Sequence, residues 1–200
     1  MKYVKMLGLL AVAAAALMAF AASASATTVT SPTGTTYTGE IHAVAIGEPP
    51  TLHGAVTITC TSSTAKGTVE THSSTTTAHG PITSLTFTEC HENIHVEVKK
   101  PGRLIVHTDE EEGAGKHDGT VTSDGAAILI QVTNLGISCE YTTSETHIGT
   151  LDSSETTGGH AILTIKTAKI PRTGGSIFCG SSGVWTGEYT VTTPSKLYIQ

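Results

Sequence analysis

The stretch Glu89-Cys90-His91-Glu92-Asn93-Ile94-His95 carries the pattern in this chain that most directly names a chemistry. Two histidines four apart, with a glutamate after the first, match the H-E-x-x-H of zinc proteases, where the imidazoles ligate the metal and the carboxylate is the general base. That chemistry needs a helix, because only there do residues four apart share a face, with Cβ atoms about 5–6 Å from each other. The flanks read as strand instead. Leu85 and Phe87 alternate with Thr86 and Thr88 before the motif, and Ile94, Val96 and Val98 alternate with His95, Glu97 and Lys99 after it. The polar centre His91-Glu92-Asn93 then reads as a hairpin turn beside Cys90. On extended chain, at ~3.3 Å per residue, the two imidazoles would stand about 13 Å apart, too far to share a metal ion. Pro101 stands where the longer metzincin spacing would place a third histidine. No metal, cofactor or catalytic residue is therefore expected, and a zinc hydrolase built on His91, Glu92 and His95 comes last among the readings.

Other local patterns are as bland. Ile170-Pro171-Arg172-Thr173-Gly174 resembles a cell-wall sorting motif, but it is followed by alternating sequence containing Cys179, not by an apolar span and basic tail. It is expected to be a turn between two strands. The chain has no G-x-S-x-G elbow, and its ten histidines include no H-x-H pair. The acidic run Asp109-Glu110-Glu111-Glu112-Gly113 lacks the alternating ligand spacing of calcium loops and reads as a solvated hairpin tip. Trp185 invites a sugar-stacking role, yet it shares strand parity with Gly187, Tyr189 and Val191, which argues for an inward face.

The elements that must position these residues are short strands. From Gly34 onward, apolar alternation is broken by Gly, Pro, Asp-Gly and Ser/Thr clusters. Val56, Ile58 and Cys60 share one parity, as do Ile137, Cys139 and Tyr141, so both cysteines are expected to point inward. Further strands are predicted over 35–45, 67–72, 82–88, 94–98, 103–108, 126–133, 161–170, 184–192 and 196–199, with turns at Glu48-Pro49-Pro50, Lys100-Pro101-Gly102, Asp118-Gly119 and Asp124-Gly125. The fold class expected is all-β, an antiparallel two-sheet sandwich with no significant helix after the leader. A flattened barrel or two stacked β lobes are the alternatives.

Lys2 and Lys5 precede an apolar run from Leu7 to Ala22, and Ala24-Ser25-Ala26 offers a small-x-small cleavage site. Residues 1–26 are thus expected to be a signal peptide and 27–200 a single secreted β domain with two similar disulfide-stapled halves. Without the leader, nine of the eleven basic residues remain against 17 acidic ones, a formal net charge of −8. That balance disfavours nucleic acid and anionic lipid as partners. Thr supplies about a fifth of the mature chain, which suits strands with a hydroxylated outer face. Four cysteines, Cys60, Cys90, Cys139 and Cys179, imply two disulfides in an oxidising compartment. Three connectivities are possible, and Cys60–Cys90 with Cys139–Cys179 is favoured because each pair then staples one half of the sequence.

The stretches VTITCTSST, LTFTEC and IPRTGGSIFCGSSGVWTGEYTVTTPSKLYI together resemble small, secreted, Thr-rich proteins predicted in actinobacterial genomes. The leader-plus-β organisation is only remotely similar to that of the alkane-oxidation-activator or biofilm-fibre family. The first resemblance spans nearly the whole mature chain and implies no established activity. The function expected is a non-enzymatic extracellular structural, surface or matrix component, partnered by cell-surface or matrix polymers or by copies of itself. The alternative is an extracellular module binding glycans or a small apolar molecule, which an apolar cavity inside a barrel would favour.

Overall fold

In a computed structural model of the chain, residues 27–70, 76–108 and 118–200 are described. The signal peptide expected over 1–26, the acidic run at 109–113 and the end of the strand expected over 67–72 lie outside them. Among the described residues, thirteen strands run from β1 (Val29–Thr30) to β13 (Tyr198–Ile199), with a single helical turn, α1 (Ser154–Thr157), and one 3-10 turn (Ile177–Cys179).

Eight strands close on themselves. They are β10 (Thr146–Asp152), β7 (Gly119–Asp124), β6 (Arg103–Thr108), β4 (Ala78–Cys90), β3 (Thr57–Thr68), β2 (Glu40–His53), β12 (Ser182–Thr193) and β11 (Ile162–Gly175), all antiparallel neighbours in that order. β11 then pairs with β10 through Leu151↔Leu163 and its neighbours, completing a barrel. The all-β expectation holds, but the two-sheet sandwich gives way to a barrel, one of the alternatives. The physical reason is that a closed sheet leaves no exposed edge, whereas a sandwich leaves four.

The longest strands overshoot the barrel. Beyond it, β11 passes from β12 to β9 (Ile137–Thr142), which continues to β8 (Ala127–Val132) and β5 (Ile94–Lys100). This extension covers a second core that includes Leu52, Ile58, Ile130, Tyr141 and Ile170. The barrel core centres on Val121, Ile165, Tyr189 and Val191. Thr–Thr pairs decorate the outer faces, as at Thr64–Thr86 (2.7 Å) and Thr142–Thr173 (2.8 Å).

Several local expectations are corrected. Glu48-Pro49-Pro50 is not a hairpin turn but a bulge inside β2, where pairing with β3 jumps from Val44↔Thr64 to Thr51↔Thr59. Prolines cannot donate to a ladder, so the strand bulges there, aided by Gly47 at φ 66°. Ile170–Gly174 is likewise strand, the turn being displaced to Ser176–Cys179. Asp118-Gly119 is no tight turn. Gly119 opens β7, and Asp118 accepts hydrogen bonds from the Ser153 amide (2.7 Å) and the Thr156 hydroxyl (2.8 Å), anchoring α1. β7 and β10 were not among the expected strands. In β10 the pairing shifts between His147 and Gly149, so Ile148 and Leu151 both point inward although three residues apart.

Barrel closure rests on a close backbone approach at Gly149, where a Cβ would stand 2.0 Å from the Thr164 carbonyl oxygen. Gly149→Ala should therefore push β10 from β11 and cost about 1–3 kcal/mol or more. Gly159→Ala, in open space, should stay within about 0.5 kcal/mol. Urea unfolding midpoints check both.

Candidate functional site

His91 lies in the turn after β4, where its carbonyl accepts from the Ile94 amide at 2.7 Å, and His95 sits on β5 opposite Gln131. His91, Glu92 and His95 are all exposed. The motif is a turn between two strands and lacks the helix a zincin requires. The expected hairpin is corrected: β4 pairs with β3 and β6, whereas β5 pairs with β8, so the two strands joined by the turn are not ladder partners. Among the described residues no three His, Cys, Asp or Glu side chains are grouped to hold a metal. The nearby charges are spent on solvent-facing pairs such as Lys99–Glu97 at 2.8 Å.

Both disulfides form with the favoured connectivity, Cys60–Cys90 across the β3/β4 pair and Cys139–Cys179 between β9 and the 3-10 turn. Each lies within one half of the sequence, yet both belong to the second core. Cys60, Cys139 and Cys179 are buried, as parity predicts. Glu89, at φ 49°, interrupts the alternation of β4 so that Phe87 and Cys90, of opposite parity, both reach that core. Burial raises the pKa of the Tyr141 phenol against a smaller opposing pull from Arg172, and its hydroxyl donates to the Cys179 carbonyl at 2.9 Å.

The feature with functional geometry is one that sequence reading missed. Inside the barrel lies a cavity of about 160 Å³, lined by residues of all eight barrel strands and almost wholly apolar. Its cause is legible in retrospect. Ala43 on β2 pairs with Ala65 on β3, Ile41 with Gly67, and Ala78 and Gly80 follow on β4, so three adjacent strands present small residues inward. Gly67 and Gly80 are required by close backbone contacts, at 2.6 Å to Pro81 O and 1.7 Å to Thr68 O for an added Cβ. Ala43 and Ala65 line the cavity beside them. Small side chains at inward parity on neighbouring strands were the available signal, but which strands are neighbours is not written locally.

One side of the cavity is covered by the first and last described strands. β1 pairs with β13, and Val29 and Leu197 both line the void. Leu197 is held by its amide bond to Ser154 Oγ (2.9 Å) and its carbonyl bond from the Ser154 amide (2.9 Å). The other end is Trp185, which also lines a smaller void of about 20 Å³ in the second core and so stands between the two. Its ring meets Phe87 at 5.4 Å and Tyr189 nearly edge-on at 6.5 Å. An inward-facing Trp185 removes the sugar-stacking role. Polar groups in the wall are satisfied where Ser123 Oγ and Thr143 Oγ1 lie 3.0 Å apart and the Ala126 amide donates to Thr143 Oγ1 at 3.0 Å.

Comparison with protein-family models, curated proteins and solved structures gave no match. Among the described residues, no helix is long and apolar enough to cross a membrane.

If His91 and His95 are ordinary exposed side chains, protein purified without chelators should contain no stoichiometric zinc by atomic absorption. The double substitution His91→Ala/His95→Ala should shift stability by no more than about 0.5 kcal/mol in urea.

Proposed function

We propose that the protein is a secreted, non-enzymatic carrier or receptor that holds a small apolar molecule inside its barrel. The observation that carries this reading is the apolar cavity of about 160 Å³ inside the barrel. Engineered cavities on the order of 150 Å³ stay dry and take up benzene. A void of this size forfeits packing contacts, at roughly 24 cal/mol per Å³ in cavity-forming mutants. Larger side chains at Ala43 and Ala65 would recover them, so retaining the space fits a use for it. Secretion is supported by the leader pattern and by two disulfides, which persist in oxidising compartments. The resemblance to secreted Thr-rich actinobacterial proteins fits the same setting.

The structural or matrix role suggested by composition has its own support in Leu135, Ile177 and Phe178, exposed on the 3-10 turn and the β8–β9 hairpin. A purely structural subunit, however, gains nothing from a void in its core, and the binding reading accounts for that void.

The single tryptophan of the chain, Trp185, lines the cavity and reports its contents. Toluene should shift Trp185 emission and raise the unfolding temperature, the stabilisation reaching about 2.7 kcal/mol at a hundred times its Kd. Ala65→Leu or Ala43→Leu, filling the space, should abolish both effects while the protein stays folded. No response of the wild type up to the solubility limit of toluene would sink the proposal.

A further inference from the structure

The strand after the His91–Asn93 turn leaves half of its backbone groups unpaired. β5 takes β8 as its ladder partner, and among the described residues no strand pairs with its other edge, so β5 ends the sheet. β4, on the other side of the turn, is committed to β3 and β6. The Thr133 amide donates to the Asn93 carbonyl at 2.9 Å, which fixes the alternation. His95 and Glu97 therefore turn their N–H and C=O groups to β8, while Ile94, Val96 and Val98 turn theirs to the open edge. The side chains of those three residues pack on the second core yet stay partly exposed.

An open edge is a template for another strand, and proteins commonly guard one with lysines or bulges. β5 carries such a guard only at its end, in Lys99, Lys100 and the shift of register between Val98 and Lys100. The stretch before it is self-complementary. Two copies laid antiparallel about Val96 set Val96 against Val96, Ile94 against Val98 and His95 against Glu97, the last pair occurring twice. Apolar residues then meet on the inner face, and on the outer face each imidazole N–H can donate to a carboxylate. That carboxylate, 2.8 Å from Lys99 Nζ of its own strand, keeps acceptor sites free for it. Beyond the ladder, Glu92 of each copy falls at the Lys99–Lys100 end of the other. Neighbouring registers fit worse. Centring on Glu97 opposes two carboxylates, and centring on Val98 sets Val96 against Lys100 at the bulge.

We propose that the edge of β5 is a self-association surface, to which a second copy of this chain adds its own β5 antiparallel about Val96. The contact is isologous, so it closes as a twofold dimer and does not grow into a fibre. It joins two β9-β8-β5 ladders into one continuous sheet. None of the residues from Ile94 to Lys100 lines the barrel cavity, so association leaves that space untouched.

Sedimentation equilibrium of the purified protein, with circular dichroism as the check on folding, tests this in wild type, His95→Glu, His95→Glu/Glu97→Lys and Val96→Pro. Wild type should show a monomer–dimer equilibrium with a Kd below about 1 mM. His95→Glu, which opposes two carboxylates at each end of the ladder, should weaken it about tenfold or more. Adding Glu97→Lys restores an opposite-charge pair and should bring the Kd back to within about threefold of wild type. Val96→Pro removes an N–H that β8 does not use, should abolish the dimer, and serves alone if His95→Glu does not fold. A wild type that stays monomeric up to about 1 mM would overturn the proposal and leave the edge to a strand of another protein. A dimer that survives both His95→Glu and Val96→Pro, or a double variant as weak as His95→Glu alone, would overturn it as well.

Discussion

The pairing of β10 with β11 is the constraint on which the rest of the molecule depends. Three residue pairs, Thr150↔Thr164, Leu151↔Leu163 and Asp152↔Ile162, join strands that would otherwise be the two edges of an open sheet. Closure turns the inward faces of eight strands toward one another and removes exposed ladder edges. It also converts Ile148, Leu151, Leu163 and Ile165 from one face of a curved sheet into part of the wall of the barrel cavity. The β1–β13 ribbon and α1 can act as a stopper only because there is a barrel end to close.

Trp185 is where the two cores are kept distinct. The strands that overshoot the barrel share a backbone with it, so a movement in one core would be passed to the other. An indole packed between Phe87 and Tyr189 gives this junction a rigid aromatic partition. Both disulfides lie on the second-core side, cross-linking loops of about 30 and 40 residues; in the chain-entropy model such links contribute roughly 3–4 kcal/mol each. The barrel side, with no covalent link, is left to hydrogen-bonded closure and apolar packing. That division suits a molecule whose stapled half is a fixed base and whose other half encloses a space.

Particular residues mark how far local reading reaches. Strand parity placed Cys60, Cys139, Tyr141, Tyr189 and Val191 inward, and all are buried. It also dissolved the zinc motif, because the alternation around His91 and His95 is incompatible with a helix. It failed at bulges. The shift in β10 sets Ile148 and Leu151 three apart on one face, and the proline bulge in β2 imitates a turn. Both are places where one strand carries extra residues relative to its partner, which shows only when the partner is known.

The sequence by itself determined the all-β class, the inward register of most strands, the cysteines available for pairing and the turn at His91–Asn93, since each follows from period-two alternation and turn chemistry within a few neighbouring residues. Only the tertiary structure decided that the sheet closes, that the small residues of β2, β3 and β4 face a common space, and that Trp185 stands between that space and the second core. Those facts depend on distances between strands up to a hundred or more residues apart in the chain, as with Trp185 against Leu52. Alternation records which side of a strand is buried; it carries no information about what lies across from it.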